Sequence, residues 1–227
     1  MTGYVREIFD SIQGEGLRIG RAMTFVRFSG CNLSCNYCDT PESQKQEGPF
    51  RFQNRIYDNP VTTDFIIDKI KEDEVAITGG EPLLQADFLE ELCTRLKSRR
   101  KFVYLDTNGT LPDGLEMVIK RIDWVALDFK VPTASGRPGM WKNAERCLRI
   151  AQRRNVYVKI VVNENLLPRE LDHVLSIIEM ADDKIPLVIQ PVFGSDPCNL
   201  LSYLKIARKR LKEVRIIPQI HKYLNLK

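Results

Sequence analysis

The sequence predicts a single α/β domain over residues 1–227, in which a mainly parallel sheet forms a modified or incomplete (β/α) barrel similar to a TIM barrel. Two observations lead to this fold class. Short runs rich in β-branched and apolar residues recur along the chain, and helical patterns of crossover length separate most of them. The seven predicted strands are 23–28, 75–78, 102–106, 124–128, 156–162, 187–190 and 214–217.

The helices between these strands are predicted from the spacing of their apolar residues. Phe88, Leu92 and Leu96 recur at every fourth position, and Asp87 before them is a possible N-terminal cap. Comparable patterns predict further helices at 62–71, 113–120, 141–151, 171–178 and 200–211. The polar stretch 39–60, which contains four of the prolines and glycines, instead predicts a long loop.

The composition is that of an ordinary globular protein, with 43% hydrophobic and 28% charged residues and a net charge of +4. No apolar run approaches the roughly 18 residues that would cross a bilayer, and the N-terminus lacks the apolar segment of a secretory signal. The six cysteines do not form a disulfide-scaffold pattern and so favour a reducing compartment. We therefore expect a cytoplasmic protein without a membrane partner.

Basic residues cluster at 95–101, 146–154 and 205–212, on predicted helices. Such clusters could dock nucleic acid or an acidic electron carrier, but they are commonly solvated helix faces. Because no nucleic-acid-binding motif accompanies them, direct binding of nucleic acid is not expected.

Polar motifs follow most of the predicted strands. In α/β barrels the chemistry gathers at the carboxyl ends of the strands, so these motifs are expected to meet on one rim. The motifs are Thr78-Gly79-Gly80-Glu81-Pro82, residues 106–110, residues 128–130, Gln190-Pro191 and residues 218–222.

Three cysteines, Cys31, Cys35 and Cys38, follow the first predicted strand with the spacing C-x3-C-x2-C. Thiolates are soft ligands for zinc or for iron–sulfur clusters. Three close ligands without a fourth fit a four-iron cluster with one open iron. The alternative is a structural zinc loop completed by His173 or His221. The other cysteines, Cys93, Cys147 and Cys198, are scattered and are not expected to hold the cluster.

The cysteine spacing resembles the signature of the radical S-adenosylmethionine (SAM) superfamily, and Gly79-Gly80-Glu81-Pro82 resembles its GGEP element. The resemblance implies a barrel of the radical SAM type, with SAM on the open iron. We expect the two glycines to let the backbone approach that ligand closely.

A second set of motifs resembles one subfamily, the 7-carboxy-7-deazaguanine synthases, over essentially the whole chain. The set comprises Ser11-Ile12-Gln13-Gly14-Glu15-Gly16, Cys38-Asp39-Thr40, residues 107–110, residues 128–132 with Ser135-Gly136, and Gln219 with His221-Lys222. The resemblance implies a radical SAM lyase. It would contract the ring of 6-carboxy-5,6,7,8-tetrahydropterin to 7-carboxy-7-deazaguanine with loss of ammonia, a step toward queuosine or archaeosine. SAM would be regenerated in each cycle.

The resemblance also implies roles for individual residues. Cys31, Cys35 and Cys38 would hold a [4Fe–4S] cluster, Thr40 would bind Mg²⁺, and Arg27 would grip the substrate carboxylate with its planar fork. The expected SAM contacts are Tyr37, Cys38, Asp39, Gly79, Gly80, Glu81, Thr107, Asn108, Lys130 and Gln190. The expected substrate contacts are Ile12, Gln13, Gly14, Glu15, Arg27, Thr78, Gln219 and His221.

Several alternatives stay open at this point. Arg27 and Lys130 could form structural ion pairs, and Asn108 could be a turn residue. The chain could activate a glycyl-radical enzyme, or it could be a non-enzymatic zinc module that docks tRNA. If it is the synthase, it needs a reductant such as flavodoxin or ferredoxin, and we expect a homodimer. His173, inside a predicted helix, is expected to be structural.

Overall fold

The computed structural model describes residues 1–195 and 199–227, and all seven predicted strands are present with ends that differ from the prediction by at most one residue. Five further strands were not predicted. In chain order the strands are β1 Thr2–Gly3, β2 Val5–Ile12, β3 Ala22–Phe28, β4 Phe50–Phe52, β5 Arg55–Tyr57, β6 Val61–Thr62, β7 Glu74–Gly79, β8 Phe102–Thr107, β9 Trp124–Asp128, β10 Asn155–Val162, β11 Leu187–Pro191 and β12 Val214–Ile216.

The sheet has ten strands in the order β12-β11-β10-β9-β8-β7-β3-β2-β4-β5, so it is a curved open sheet rather than a closed ring. The seven strands from β3 to β12 in this order are all parallel to their neighbours. β2 joins them antiparallel through β3. β1 and β6 form a separate two-stranded sheet. The prediction of a mainly parallel, incomplete barrel is confirmed.

The helices are α1 Thr63–Lys69, α2 Ala86–Ser98, α3 Pro112–Val118, α4 Pro132–Ser135, α5 Trp141–Ala151, α6 Pro168–Ala181, α7 Leu200–Ala207 and α8 Ile220–Tyr223. The prediction of Asp87 as a cap is wrong. α2 begins at Ala86, one residue earlier, because a 3-10 turn starting at Pro82 leads directly into it. α7 ends at Ala207, short of the predicted 211. None of the helices in the described ranges is long and apolar enough to cross a membrane.

The stretch 39–60 is more ordered than a loop. Residues Pro41–Ser43 form a 3-10 turn, and β4 and β5 form a hairpin that adds two strands to the edge of the sheet beyond β2. The stretch returns to the barrel through Asn59, whose side-chain oxygen accepts from the Val5 amide while its nitrogen donates to the Val5 carbonyl.

Two apolar cores lie on opposite faces of the sheet. The larger core packs the helices against the outer face. The smaller one fills the bottom of the barrel and consists of Met23, Phe25, Ala76, Tyr104, Ala126, Tyr157, Val188 and Ile217. Since side chains alternate between the faces of a strand, residues two positions beyond this inner layer also point into the barrel.

Candidate active site

A polar layer lies directly above the inner apolar layer. On six of the strands, moving two residues toward the carboxyl end leads from a residue of the inner apolar layer to a polar or charged one, and these six polar or charged residues line one cleft. The pairs are Phe25 and Arg27, Ala76 and Thr78, Tyr104 and Asp106, Ala126 and Asp128, Tyr157 and Lys159, and Val188 and Gln190. This cleft is where the strand-end motifs meet. Every residue that the sequence assigned to the site lines it, with the exception of Glu81.

The three clustered cysteines stand as free, half-buried thiols at one side of the cleft. Burial raises the pKa of Cys31 and of Cys35, so without a metal these groups are neutral thiols. A metal that binds thiolates lowers such pKa values strongly. Cys93 and Cys147 are fully buried in α2 and α5, and Cys198 lies outside the described residues. The donor set therefore fits a metal cluster held by the first three cysteines.

The cysteine loop is held from the side by the segment after β9. The Asn36 amide donates to the Ser135 carbonyl at 3.0 Å. Arg137 donates through Nε to the Ser34 carbonyl at 2.8 Å, and a terminal nitrogen of its guanidinium donates to the Ser34 hydroxyl. Gly136, with φ +69°, leaves the Asn36 side chain room that a Cβ would occupy. These contacts fix both neighbours of Cys35.

The two glycines of the GGEP element allow a close approach of protein backbone, and the expected close approach of a ligand to them stays a prediction. A Cβ on Gly79 would lie 2.3 Å from the Phe28 backbone, and one on Gly80 would lie 2.1 Å from the Gly30 carbonyl oxygen. Three residues of the GGEP strand end thus pack against the start of the cysteine loop, and the Glu81 amide donates to Gly30 at 2.7 Å. Both glycines line the cleft. Their small size is nevertheless required by neighbouring protein backbone.

The Glu81 side chain is fully buried outside the cleft. Its carboxylate accepts from the Leu83 amide at 3.0 Å, the Thr107 hydroxyl at 2.8 Å and the Asn108 amide at 2.7 Å. Burial raises the pKa of Glu81 to about 7, although these three donors oppose the rise. The carboxylate thus joins the end of β7 to the end of β8, and the assignment of Glu81 to the SAM contacts stays a prediction.

Asn108 belongs both to a turn and to the cleft, so the two interpretations of this residue are compatible. Its side-chain oxygen accepts from the Thr110 amide and hydroxyl, which is the local turn. Its side-chain nitrogen donates to Asn32 at 2.9 Å, inside the cysteine loop. The loop and the end of β8 are therefore connected next to Cys31.

The Gln13-Gly14-Glu15 turn forms the opposite wall of the cleft. Gln219 donates to Glu15 Oε1 at 2.7 Å. The Ile220 amide donates to the Gly14 carbonyl at 3.0 Å, and α8 packs His221 so tightly on Gly14 that a Cβ there would lie 2.1 Å from the imidazole Nδ1. The residues after Pro218 thus complete this wall, a role that the sequence left undetermined.

Arg27 is half-buried on the same side of the cleft as the Gln13-Gly14-Glu15 turn, and two residues of β2 hold its guanidinium. Its Nε donates to Glu7 at 3.0 Å, and its guanidinium lies 5.5 Å from the centre of the Phe9 ring. Among the described residues, its two terminal nitrogens have no hydrogen-bond partner. The ion-pair interpretation is correct for Nε, and the terminal nitrogens stay available for a planar anion. Lys227 also binds Glu7, at 2.6 Å.

Lys130, Tyr37 and Asp128 form a third group, beside the cysteine loop. Lys130 Nζ lies 2.8 Å from Asp128 Oδ2 and 5.2 Å from the centre of the Tyr37 ring. Burial opposes the charge of Lys130, but Asp128 and Tyr37 raise its pKa well above the usual value. Within residues 1–195 and 199–227, three buried polar atoms of this region have no hydrogen-bond partner: Tyr37 OH, Asp128 Oδ1 and Gln190 Oε1. Buried polar atoms are normally hydrogen-bonded, so these three atoms fit a site in which a polar ligand such as SAM supplies the missing hydrogen bonds.

Asp39 and Thr40 lie between the cysteine loop and the substrate-side wall. Asp39 approaches Glu15 and His221 so closely that one ligand atom of each lies within 4.8 Å of the others. Its carboxylate also pairs with Lys222 at 3.6 Å. The sequence assigned Asp39 to the SAM pocket, but these contacts are with the opposite wall. Thr40 precedes the 3-10 turn, yet its hydroxyl makes no capping hydrogen bond and lines the cleft.

The position of Thr40 in the cleft, without a capping hydrogen bond from its side chain, makes it testable as a Mg²⁺ ligand. Thr40→Val keeps the branched shape but removes the oxygen, so we expect normal cluster content and SAM binding with at least about a tenfold loss of turnover at limiting Mg²⁺. Thr40→Ser, which keeps the oxygen, is the matched control and should respond to Mg²⁺ as wild type does. The measurement is a Mg²⁺ titration under anaerobic turnover. Identical Mg²⁺ curves for Thr40→Val and wild type would exclude Thr40 as the ligand.

Sequence reasoning missed Lys159 as a residue of the site. It lies 4% exposed in the middle of β10 and contacts Glu15, Asp128 and Asp106. The available signal was a lone lysine in the apolar run Val156-Tyr157-Val158-Lys159-Ile160, because an unpaired charge there would be too unfavourable to bury. Its partners could not be read from the sequence, since Glu15 is 144 residues away.

Comparisons with known proteins agree with this geometry. The Radical SAM superfamily matches residues 25–181. The chain is 37% identical to the 7-carboxy-7-deazaguanine synthase of Geobacter sulfurreducens over 97% of this chain and 96% of that protein. It is 38% identical to the synthase of Archaeoglobus fulgidus over the full length of both.

Solved structures support the fold. The chain resembles QueE from Escherichia coli with a TM-score of 0.64 and 20% identity, over 95% of this chain and 93% of that one. A domain of pyruvate-formate lyase-activating enzyme from Bacteroides vulgatus gives a TM-score of 0.50 and 16% identity over 63% of this chain and 97% of that domain. At such identities the likeness concerns the fold alone. By its full-length identity to the synthases, the chain belongs to the 7-carboxy-7-deazaguanine synthase family of the radical SAM superfamily.

Proposed function

We infer that the protein is a 7-carboxy-7-deazaguanine synthase that converts 6-carboxy-5,6,7,8-tetrahydropterin to 7-carboxy-7-deazaguanine and ammonia. One observation supports this above all. A single cleft contains the three free thiols, the available fork of Arg27 and the polar Gln13–Glu15 wall. A substrate with a carboxylate at one end and a hydrogen-bonding ring edge at the other matches these two groups.

The enzyme uses a [4Fe–4S] cluster, SAM and Mg²⁺. When bound, the cluster and SAM supply the radical that starts the ring contraction, and Mg²⁺ supplies positive charge beside the substrate. Cys31, Cys35 and Cys38 would hold the cluster, and the group of Tyr37, Lys130 and Gln190 would face SAM. The apolar floor of Tyr104, Tyr157 and Val188 excludes water from below.

We assign the substrate to the opposite wall. The terminal nitrogens of Arg27 would bind the carboxylate, oriented by Glu7 and Phe9. The ring edge would be faced by Gln13, Glu15, Gln219 and His221. Thr78, whose hydroxyl lies 3.5 Å from Asp106, would contact the substrate as well. Thr40 would place Mg²⁺ between substrate and cysteine loop. The pterin is thereby held against the end of the cleft where the cluster is expected.

The experiment that tests this function is anaerobic reconstitution with iron and sulfide, followed by incubation with reductant, SAM, Mg²⁺ and the carboxypterin. Mass spectrometry should detect 7-carboxy-7-deazaguanine, and the product should disappear when SAM or reductant is omitted. SAM cleavage without a deazapurine product would contradict the assignment. A glycyl-radical-activating enzyme would instead require a protein substrate.

Two partner proposals accompany the function. We propose that a flavodoxin or ferredoxin supplies the electron, which turnover assays with each carrier can test. We also propose that the 227 residues form a single domain and that two copies of the chain form a homodimer. Light scattering of the reconstituted enzyme should give twice the chain mass of 26.2 kDa, and a monomer mass would contradict the proposal.

A further inference from the structure

Lys159 occupies the centre of the polar layer, between the two walls of the cleft. Its ammonium lies 2.7 Å from Glu15 Oε2, 3.4 Å from Asp128 Oδ2 and 3.8 Å from Asp106 Oδ1. These carboxylates come from three separate parts of the chain: the turn after β2, the end of β9 and β8. The lysine side chain is only 5% exposed.

Burial of this lysine would be strongly unfavourable without its partners. Burial opposes its charge, but the three carboxylates raise the pKa of Lys159 well above the usual value. An ammonium has three N–H donors and no acceptor, so it matches three surrounding carboxylates. Lys159 is therefore a fixed positive charge within the described part of the cleft.

The partner most affected is Glu15. Burial opposes ionisation of this carboxyl, but the charge and hydrogen bond of Lys159 and the hydrogen bond of Gln219 together lower the pKa of Glu15 to about 2. Lys159 binds Oε2 and Gln219 binds Oε1, so the orientation of the carboxylate is fixed at both oxygens. Each carboxylate oxygen can accept a second hydrogen bond. Glu15 can thus receive N–H groups from a ligand in the cleft.

We propose that Lys159 is a positioning residue for substrate recognition, which orients the Glu15 carboxylate to accept N–H groups from the aminopyrimidine edge of the pterin. The proposal rests on the proposed function. Lys159 also contacts Asp128, and Lys130 on the cofactor side contacts the same oxygen of that carboxylate. The substrate wall and the cofactor side are thus connected through Asp128. Lys159 also lines the cleft but is less exposed than Glu15, and we assign its effect to the orientation of that carboxylate.

The proposal is tested by comparing two ligands that differ at the edge in question. 6-Carboxypterin carries a 2-amino group, whereas 6-carboxylumazine carries an oxygen there and so places an acceptor against Glu15. An unpaired buried polar group costs about 1–3 kcal/mol, so wild-type holoenzyme with SAM should bind the pterin about tenfold to a hundredfold more tightly. Lys159→Met should reduce this ratio to within about threefold of one.

Several controls separate positioning from general damage. Iron content should change little in Lys159→Met, because the three cluster cysteines are not among the ion-pair partners of Lys159. Lys184→Met, at an exposed position before β11 and at the other end of the strands, should keep the wild-type ratio. In a Glu15→Gln background the Lys159→Met change should have no further effect on the ratio, because the residue through which Lys159 acts is already altered.

The outcomes are decisive in each case. An unchanged ratio in a folded Lys159→Met enzyme overturns the proposal. The proposal is also overturned if Lys159→Met lowers the ratio as much in the Glu15→Gln background as it does in the wild-type enzyme. If Lys159→Met does not fold, Lys159→Gln and Glu15→Gln are measured, and retention of the wild-type ratio in Glu15→Gln overturns it. Failure of the proposed function is distinguishable, because wild type would then make no deazapurine at all.

Discussion

Replacement of any one of Cys31, Cys35 or Cys38 by alanine is expected to abolish product formation and SAM cleavage together. Even the loss of a group that only orients a metal ligand lowers affinity or activity about 10- to 100-fold, so loss of a ligand should exceed a hundredfold. All three thiols line the same cleft, and each supplies one of the three sulfurs of the site. The measurements are iron and sulfide content, the visible absorbance of the cluster and 5′-deoxyadenosine formation.

The matched controls are Cys93→Ala and Cys147→Ala. Both thiols are buried in the helices, and burial raises the pKa of Cys147 to about 12, so neither is suited to bind metal. We expect these variants to keep their iron while losing some stability. Replacement of Cys198 was also predicted to leave iron content intact, and that residue lies outside the described ranges. Loss of the cluster on replacing Cys198 would contradict the three-ligand site.

The second large effect is expected for Arg27→Lys, which keeps the positive charge but loses the planar fork. Removing one partner of a desolvated charge pair costs about 2–5 kcal/mol. Because lysine keeps the charge, the loss should lie near the lower end, and kcat/KM for the carboxypterin should fall about thirtyfold to a hundredfold. SAM cleavage without pterin should persist, because Arg27 lies on β3 beside Glu7 and Phe9 rather than beside Lys130. Single-turnover assays with and without pterin separate the two activities.

Arg6→Lys is the matched control for this change. Arg6 lies on β2, directly before Glu7 in the chain, and is not part of the cleft lining. We expect its kcat/KM to stay within about threefold of wild type, as for a surface substitution. An equal loss of pterin turnover and of uncoupled SAM cleavage in Arg27→Lys would contradict a role in substrate binding.

The main strands and their polar ends could be predicted from the sequence because both patterns are local. β2 was missed because a register irregularity between Val5 and Glu7 interrupts the alternation that marks a strand. The hairpin of β4 and β5 was missed for a similar reason. Its strands are three residues long, and its turn uses Gln53 at φ +53° where a glycine or asparagine would be the usual marker.

The cleft was predictable as a set of residue types, but not in its internal contacts. Gly79 and Gly80 indicated a close approach, and only the fold shows that the approaching groups are Phe28 and Gly30. Glu81 belongs to the same motif, yet its side chain points away from the cleft toward Thr107. Lys159 does not belong to any recognisable sequence motif. Its role depends on three carboxylates that are distant in the sequence and that only the fold brings together.

The most direct test of the central claim is the number of 7-carboxy-7-deazaguanine molecules formed per molecule of SAM. Reconstituted enzyme is given limiting SAM, excess carboxypterin, reductant and Mg²⁺, and product and SAM are counted by mass spectrometry. The proposed reaction regenerates SAM in each cycle, so it predicts several products per SAM with most of the SAM recovered. One 5′-deoxyadenosine released for every pterin consumed, or SAM cleavage with no deazapurine, would contradict the account.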